Sequence, residues 1–230
     1  SLGPLASTAS DLQSELIGLW RLIQSQPEYL AEQYEMHWTN LQEIGHSYYY
    51  EVREHFNESR SPEALLFLSR TCVNGLIRFN GAGNFNNSLH HTRSGIAPER
   101  LRRIIGQWSV VVADTVFVNK DYEEVTASAK TGDLIYLDPP YMANRGRYQK
   151  AAFDFDRFWG VLESLNTRGV RWVLSLDGSS GDRDYTSGLD IAKKLSKTNN
   201  RVKAGNSAFP KLLMGRTDEV TESLFTNFEV

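Results

Sequence analysis

The chain has 230 residues, of which 40% are hydrophobic and 23% are charged, and its mean hydropathy is −0.42. This balance is typical of a globular protein and excludes a disordered or collagen-like chain. The apolar runs are far shorter than the ~20 residues of a membrane-spanning helix. The single cysteine, Cys72, excludes an internal disulfide and a thiolate zinc cluster. We therefore expect a cytoplasmic protein with one large domain, or one domain with an insertion.

The charges are unevenly distributed along the chain. The net charge of −3 does not by itself indicate a nucleic-acid-binding protein. Between Asp11 and Leu68 there are ten acids and three bases, whereas five arginines and one acid lie between Arg78 and Arg103. The first segment would repel phosphate and the second would attract it. A solvated charged face explains the same asymmetry equally well.

Apolar residues at helical spacing predict three helices in the first third of the chain. The first is capped by Asp11 or Ser14 and ended by Pro27, the second begins near Glu28, and the third covers Pro62–Leu76. Ser61 is the expected cap of the third helix, and Pro62 is its first residue. Cys72 lies on this buried helix, so we expect a core residue rather than a nucleophile.

The chain then changes from helical to loop character and afterwards to α/β character. A polar, glycine-rich stretch over residues 81–95 predicts a loop or hairpin, of a length that is usually functional. A short basic helix over Pro98–Gln107 follows. The remainder predicts a helix and five strands: Phe155–Leu165, and Val110–Ala113, Thr115–Val118, Leu134–Leu137, Val170–Leu176 and Thr221–Phe228. Continuous apolar strands around a helix favour a doubly wound parallel sheet.

One predicted strand runs directly into the sequence Asp138-Pro139-Pro140-Tyr141. Ligands of open parallel sheets bind beyond the carboxyl ends of strands, so this position is a candidate site. Two prolines remove two backbone donors and fix φ, which leaves their carbonyls free to accept hydrogen bonds. The structural alternative is a proline-terminated strand whose aspartate caps the next turn. Asp177, after Val170–Leu176, either lines the same pocket or caps a loop.

The tetrapeptide resembles the catalytic motif of DNA amino-methyltransferases, which transfer a methyl group from S-adenosylmethionine to an exocyclic base nitrogen. Further segments are similar to Dam-type DNA adenine methyltransferases. Residues 70–86 resemble the segment that the family places ahead of its recognition hairpin. Asp121-Tyr122 resembles the pair that holds the cofactor adenine, and the acidic strand end at Asp11 resembles the one that binds the cofactor ribose. Residues 205–209 and 222–227 resemble the two closing strands of these enzymes. The resemblance therefore extends from about Asp11 to Phe228.

This resemblance implies a fold, a domain organisation and an activity. The fold is a Rossmann-like methyltransferase sheet with an inserted, mainly helical target-recognition region that contains a hairpin. Residues 1–28 and 109–230 would form the catalytic, cofactor-binding domain, and residues 29–108 the recognition region. The implied activity is methyl transfer from S-adenosylmethionine to N6 of adenine in a specific duplex DNA sequence, by base flipping and direct in-line transfer.

The same resemblance assigns the site residues. The Asp138 carboxylate and the Pro139 carbonyl would accept the N6 hydrogens beside Pro140, and Tyr141 would stack on the base. The expected cofactor-binding residues are Asp11, Asp121, Tyr122 and Asp138. The expected DNA-binding residues are Arg78, Asn80, Asn86, Arg93, Arg102, Arg145 and Arg147, each of which fits a surface or turn role as well. We expect no metal and no membrane; a restriction endonuclease of the same target site would be a partner that is not bound.

The sequence departs from the family in one motif. Members carry an aromatic-Gly-x-Gly motif upstream of the ribose acid, and here Gly3 alone lies upstream of Asp11. The missing strand would be central, so its loss would leave two strand edges unpaired. We therefore expect a fragment, or a chain that has lost a segment. The alternatives are a catalytically impaired DNA-binding relative and a cytosine-N4 methyltransferase, a group that usually has serine in place of Asp138.

Overall fold

The computed structural model describes residues 6–140, 153–180, 183–184, 189–206 and 219–229. They form two units, one up to Tyr122 and one from Glu123 onward, and both mix helices with strands. The first unit contains β1 (Ser7–Ser10), α1 (Ser14–Ser25), α2 (Pro27–Ile44), α3 (His46–Ser59), α4 (Pro62–Thr71), α5 (Pro98–Val111) and β2 (Thr115–Val118). The helix α6 (Tyr122–Thr126) begins at the end of this unit. The second unit contains β3 (Leu134–Leu137), α7 (Phe155–Thr167), β4 (Arg171–Ser180), β5 (Arg183–Asp184), α8 (Asp190–Leu195), β6 (Thr198–Asn206) and β7 (Glu219–Thr226).

The first unit is built around an aromatic-rich core between the helices. Tyr34, Tyr49, Phe56 and Phe67 are almost completely buried within it. Cys72 is also buried there, as the apolar pattern predicts, although it lies just beyond α4. Burial of large apolar side chains supplies most of the stability of such a helical layer. The helices between Pro27 and Val111 thereby form a stable base for the loop region that they enclose.

Strands β1 and β2 pair in parallel, with Ser7 opposite Thr115 and Ser10 opposite Val118. Asp11 N donates to Val118 O, so the alternate carbonyls of Thr115 and Phe117 face away from β1. Two side chains of α1 lie along that edge. Gln24 Nε2 donates to Thr115 O at 2.8 Å, and Arg21 donates twice to Phe117 O, at 2.7 and 3.1 Å.

The structure corrects four predictions in the helical part of the chain. Gln13 occupies the N-cap of α1, and the Asp11 carboxylate accepts its N–H, so neither Asp11 nor Ser14 is the cap.

Helix α3 was not predicted from the sequence. Gly45, at a φ of 85°, separates it from α2, but the polar residues of both helices obscure that break in the apolar pattern. Helix α4 ends at Thr71, since Cys72 takes an extended backbone, and the Ser61 cap is confirmed by Ala64 N donating to its Oγ.

The fourth correction concerns the valine run after Trp108. Val110 and Val111 form the last turn of α5 rather than a strand, and both are exposed to solvent. A short apolar run has no period of its own and fits either structure. The helix is extended because Leu101, Ile105 and Val112 recur at helical spacing and are all buried.

The second unit contains a mixed sheet in the order β3-β4-β7-β6, with β5 paired to β4. β3 and β4 are parallel, whereas the β4–β7 and β6–β7 pairs are antiparallel, which corrects the expectation of a parallel sheet. The predicted strands and the helix after Asp154 are otherwise confirmed. The closing strand predicted at 205–209 overlaps only the last two residues of β6, and the rest of β6 was missed because its side chains are polar and mostly exposed. Among the strands described here, β1 pairs with β2 alone and β3 with β4 alone.

A backbone irregularity lies within β4. The register with β7 shifts between Asp177 and Ser179, and a Cβ atom at Gly178 would stand 2.1 Å from Thr221 O. An L side chain at this position is excluded by that approach, so glycine permits the bulge. Asp177 therefore lies inside a strand and is buried, rather than at the strand end that the sequence predicts.

A half-buried amide network fixes β4 in the second unit. Asn227 Oδ1 accepts from Trp172 N at 2.8 Å, and Asn227 Nδ2 donates to Val170 O and to Asn166 Oδ1, both at 2.8 Å. We expect Asn227→Ala to lower the free energy of unfolding by about 1–3 kcal/mol, because it leaves buried backbone groups unsatisfied. Urea unfolding followed by tryptophan fluorescence measures the loss. The exposed Asn200→Ala on β6 is the control, and equal stability of the two variants would contradict the network's role.

Candidate active site

The candidate catalytic motif lies at the carboxyl end of β3. β3 pairs in parallel with β4, with Leu137 opposite Leu174, so Asp138 follows the paired segment directly. Asp138 retains exposed surface, Pro139 is buried and Pro140 is half-buried. A carboxylate and proline carbonyls therefore stand at the edge where parallel sheets bind ligands. Tyr141, Arg145 and Arg147 lie outside the described residues.

Two further acids lie on the strands next to this motif. Glu222 of β7 is opposite Asp177 of β4, and its Oε2 accepts from Ser175 Oγ at 3.3 Å. Partial burial raises the pKa of Asp138, and the negative charge of Glu222 raises it further. The sequence indicated Glu222 only as part of a closing strand. Strand register, which the sequence does not state, is what connects it to Asp138.

The predicted cofactor acids of the first unit share one edge of the β1–β2 pair. Asp11 follows β1, and Asp121 and Tyr122 follow β2, while the register places Ser10 opposite Val118. Asn119 lies between the two ends, and its Nδ2 donates to Asp11 O at 2.8 Å. The carboxyl ends of two parallel strands thus bring the predicted residues to the same edge of this unit.

The carboxylate of Asp11 is partly buried, and one of its oxygens already accepts a backbone hydrogen bond. Burial is the main cause of its raised pKa, and the nearby charge of Glu15 adds to the rise, while backbone N–H groups oppose it. Gln13 N donates to Oδ1 at 2.7 Å. The second carboxylate oxygen is able to accept hydroxyl groups, so the residue fits the ribose-binding role that the resemblance assigns.

The glycine-rich stretch forms the expected hairpin. Isolated bridges pair Phe79 with Phe85, and the Asn80 carboxamide oxygen accepts from the N–H groups of Ala82 and Asn84, both at 3.0 Å. Asn80 therefore stabilises the turn. The turn at Gly81-Ala82-Gly83 agrees with the prediction and has Gly83 at a φ of 79°.

Arg78 and Asn86 face each other next to this turn. Arg78 Nε donates to Asn86 Oδ1 at 2.9 Å, and Arg78 is exposed. An exposed guanidinium whose orientation is fixed by an amide suits bidentate recognition of a base edge or of a phosphate. The structure thus brings together two of the predicted DNA-binding residues.

The other two arginines of this region that were predicted to bind DNA, Arg93 and Arg102, differ in their surroundings. Arg102 of α5 forms ion pairs with Glu28 and, at 3.0 Å, with Glu35 of α2, and these carboxylates raise its pKa. The charge of Arg102 is therefore largely neutralised by the ion pairs that join α5 to α2. Arg93 is exposed in the loop before α5. Of the two, Arg93 has the environment that a phosphate contact requires.

The described ranges contain no group of three or more His, Cys, Asp or Glu side chains arranged to hold a metal ion. No helix in these ranges combines the length and the apolar character needed to cross a bilayer.

Comparison with known proteins identifies relatives of this chain among DNA methyltransferases. Residues 4–204 match the family model of the D12 class N6 adenine-specific DNA methyltransferases. A DNA adenine methylase of Escherichia coli is 31% identical over 181 residues, which cover 72% of this chain and 63% of that protein. A DNA adenine methylase of Vibrio cholerae is 24% identical over 221 residues, 89% of this chain and 77% of that protein. The modification methylase StsI of Streptococcus sanguinis is 27% identical over 180 residues, 72% of this chain but 27% of its own length.

The influence of Glu222 on Asp138 can be measured by titration. We expect Glu222→Gln to lower the pKa of Asp138 toward its ordinary value without reaching it, because partial burial remains. Carboxyl ¹³C NMR of aspartate-labelled protein, with Asp138→Asn for assignment, gives this pKa. Glu219→Gln removes an acid of the same strand that pairs with Lys203, and it is the matched control. A pKa that does not change in Glu222→Gln would contradict the interaction.

Proposed function

The chain belongs to the D12 class N6 adenine-specific DNA methyltransferases, and on that premise we propose that it methylates adenine N6 within a specific duplex DNA sequence, with S-adenosylmethionine as the methyl donor. The observation that carries the proposal is the placement of Asp138 and the buried Pro139 directly after β3, beside the acid-bearing strands β4 and β7. The Rossmann-like sheet and the division into residues 1–28 with 109–230 for catalysis, and 29–108 for recognition, are part of the same proposal.

Adenine N6 needs help from the protein to act as a nucleophile. Its lone pair is delocalised into the ring, so the amine must become more tetrahedral as the methyl group arrives. The Asp138 carboxylate and the Pro139 carbonyl each accept one N6 hydrogen, which favours that geometry. The carboxylate also stabilises the positive charge that develops on the nitrogen. Because Pro139 and Pro140 have no N–H and a fixed φ, the acceptor carbonyl is held rigidly.

The elevated pKa of Asp138 also suits the end of the reaction. Methylated N6 must lose a proton, and a carboxylate whose pKa lies above its ordinary value accepts a proton more readily. The negative charge of Glu222 contributes to this basicity and to the potential that favours a cationic transition state. Direct in-line transfer requires no covalent intermediate with the protein.

Binding of the cofactor is assigned to the edge where β1 and β2 end. S-adenosylmethionine, when bound, supplies an activated methyl group. Asp11 accepts hydrogen bonds from the ribose hydroxyls, and Asp121 with Tyr122 contacts the cofactor adenine. The support for this assignment is that all three residues lie at one carboxyl edge of a parallel strand pair. Burial around Asp11 strengthens each hydrogen bond that its carboxylate accepts.

DNA recognition is assigned to the hairpin and the loops. Arg78 and Asn86 read base edges, Arg93 contacts phosphate, and Arg145 and Arg147 order on the duplex while Tyr141 stacks on the flipped adenine. The names of relatives include both DNA adenine methylases and type II methyltransferases such as M.FokI of Planomicrobium okeanokoites. We place the enzyme in the cytoplasm, with its DNA, either as the modification half of a restriction pair or on its own.

The catalytic assignment is tested by replacing one carboxylate. We expect Asp138→Asn, which keeps an acceptor oxygen but removes the negative charge, to reduce single-turnover methylation of unmethylated duplex DNA by roughly 10²–10³-fold, the usual effect of losing one preorganised transition-state interaction. N6-methyladenine is quantified by nucleoside mass spectrometry. Asp133→Asn, at the opposite end of β3, removes an exposed acid and is the control. If the parent chain binds duplex DNA but forms no N6-methyladenine, the result would instead support a catalytically impaired relative.

The cofactor assignment is tested by direct binding. We expect Asp11→Asn to weaken the binding of S-adenosylhomocysteine about tenfold, because an amide is a weaker acceptor for ribose hydroxyls than a charged carboxylate. Isothermal titration calorimetry of the full chain measures this affinity. Asp114→Asn, an exposed aspartate just before β2, is the control. Equal affinities of the two variants would remove Asp11 from the cofactor site.

A further inference from the structure

The end of α3 makes an unusual contact with the recognition hairpin. Asn57 Oδ1 accepts from Phe85 N at 2.7 Å, while Asn57 Nδ2 donates to Phe85 O at 3.3 Å. One carboxamide therefore satisfies both backbone groups of a single hairpin residue, as a neighbouring β-strand would. A two-point contact of this kind fixes the orientation of a backbone segment as well as its distance.

Arg60 contacts the turn of the same hairpin. Its Nη2 donates to Gly83 O, and its guanidinium lies 5.4 Å from the centre of the Phe56 ring and 5.5 Å from that of Phe79. Nη1 also lies 3.7 Å from the largely buried carboxylate of Glu15 on α1. An arginine placed between two rings and two oxygens has little freedom to move.

These two anchors lie next to the residues that would read DNA. Asn86 follows Phe85 in the chain, and Arg78 precedes Phe79, so each member of the Arg78–Asn86 pair is bonded to an anchored residue. The turn between them is rich in glycine, which in isolation samples many backbone conformations. Without the anchors, the hairpin would have to be ordered when DNA binds, at a cost in affinity.

We propose that Asn57 and Arg60 are positioning residues for DNA sequence recognition, which hold the hairpin so that Arg78 and Asn86 meet the base edges in one orientation. This inference rests on the proposed function and goes further by naming residues that need not touch the DNA. Hydrogen bonds to base edges depend strongly on orientation, whereas charge contacts with phosphate do not. Loss of an anchor should therefore reduce specific binding more than non-specific binding.

The experiment compares Arg60→Met with Arg53→Met in the full chain. Arg53 lies inside α3, whereas Arg60 follows the last residue of that helix. Arg53 pairs with Glu54 and lies over the Tyr50 ring, so its contacts stay within α3 and it is the matched control. An unmethylated plasmid is treated with the parent chain, and sequencing of N6-methyladenine defines the preferred site. Binding constants are then measured for a duplex with that site and for a scrambled duplex of equal length.

We expect Arg60→Met to weaken binding of the preferred duplex about tenfold, the size of one lost base contact. Binding of the scrambled duplex and of S-adenosylhomocysteine, and the rate at saturating DNA, should change less than about twofold, and Arg53→Met should resemble the parent chain. In an Arg78→Ala background the effect of Arg60→Met should fall to a fraction of its size, because only the base contact of Asn86 remains to be positioned. Asn57→Asp, which keeps the acceptor for Phe85 N, should lie between the parent chain and Asn57→Leu.

Three results would overturn the inference. They are equal losses of specific and non-specific binding in Arg60→Met, a full effect of Arg60→Met without Arg78, and a parent-like preference in both Arg60→Met and Asn57→Leu. If Arg60→Met does not fold by circular dichroism, Arg60→Lys, which keeps the charge but not the planar stack, gives the same comparison. A parent chain that neither binds nor methylates duplex DNA would refute the proposed function itself, which is a separate outcome.

Discussion

The parallel pairing of β3 with β4 is the constraint on which the candidate chemistry depends. It fixes where β3 ends and thereby places Asp138 next to Ser175 and close to β7. The prolines that follow cannot extend the strand by hydrogen bonding, so the chain leaves the sheet with its carbonyls available. The β3–β4 register and the β4–β7 register together determine where the acceptor stands relative to Glu222, whose charge adds to the effect of burial on the pKa of Asp138. The same principle operates separately at the β1–β2 pair, where one register brings Asp11 and the residues after Val118 to one edge.

Carboxylates near other carboxylates are a shared feature of both edges. Asp138 is influenced by Glu222, and Asp11 by Glu15, and in both cases partial burial is the larger cause of the raised pKa. Such placement opposes ionisation and costs stability. It also produces a negative potential that favours a cationic reacting group.

Much of the fold could be predicted from the sequence, and the errors have physical causes. The bounds of β2 and β3 agree with the prediction because their apolar runs are short and clearly bounded. The valines after Trp108 were assigned wrongly because a run of four apolar residues fits a helix end as well as a strand. α3 was missed because its buried positions are diluted by polar ones, and most of β6 was missed because its side chains are polar and exposed. The acid motif at Asp138 was found from chain position alone. The contacts of Asn57 and Arg60 could not be found that way, since they join residues that are more than twenty positions apart.

The side chains of Arg21 and Gln24 along β2 determine on which side a further strand can join the β1–β2 pair. The outward carbonyls of Thr115 and Phe117, which a neighbouring strand would have to pair with, already accept hydrogen bonds from Gln24 and Arg21 of α1. An uncovered strand edge invites pairing with other chains and is a common start of aggregation. The side chains of α1 protect the outer edge of β2 from such intermolecular pairing. Any strand added to the β1–β2 pair would have to join along β1, so the direction of sheet extension is decided by two side chains of α1.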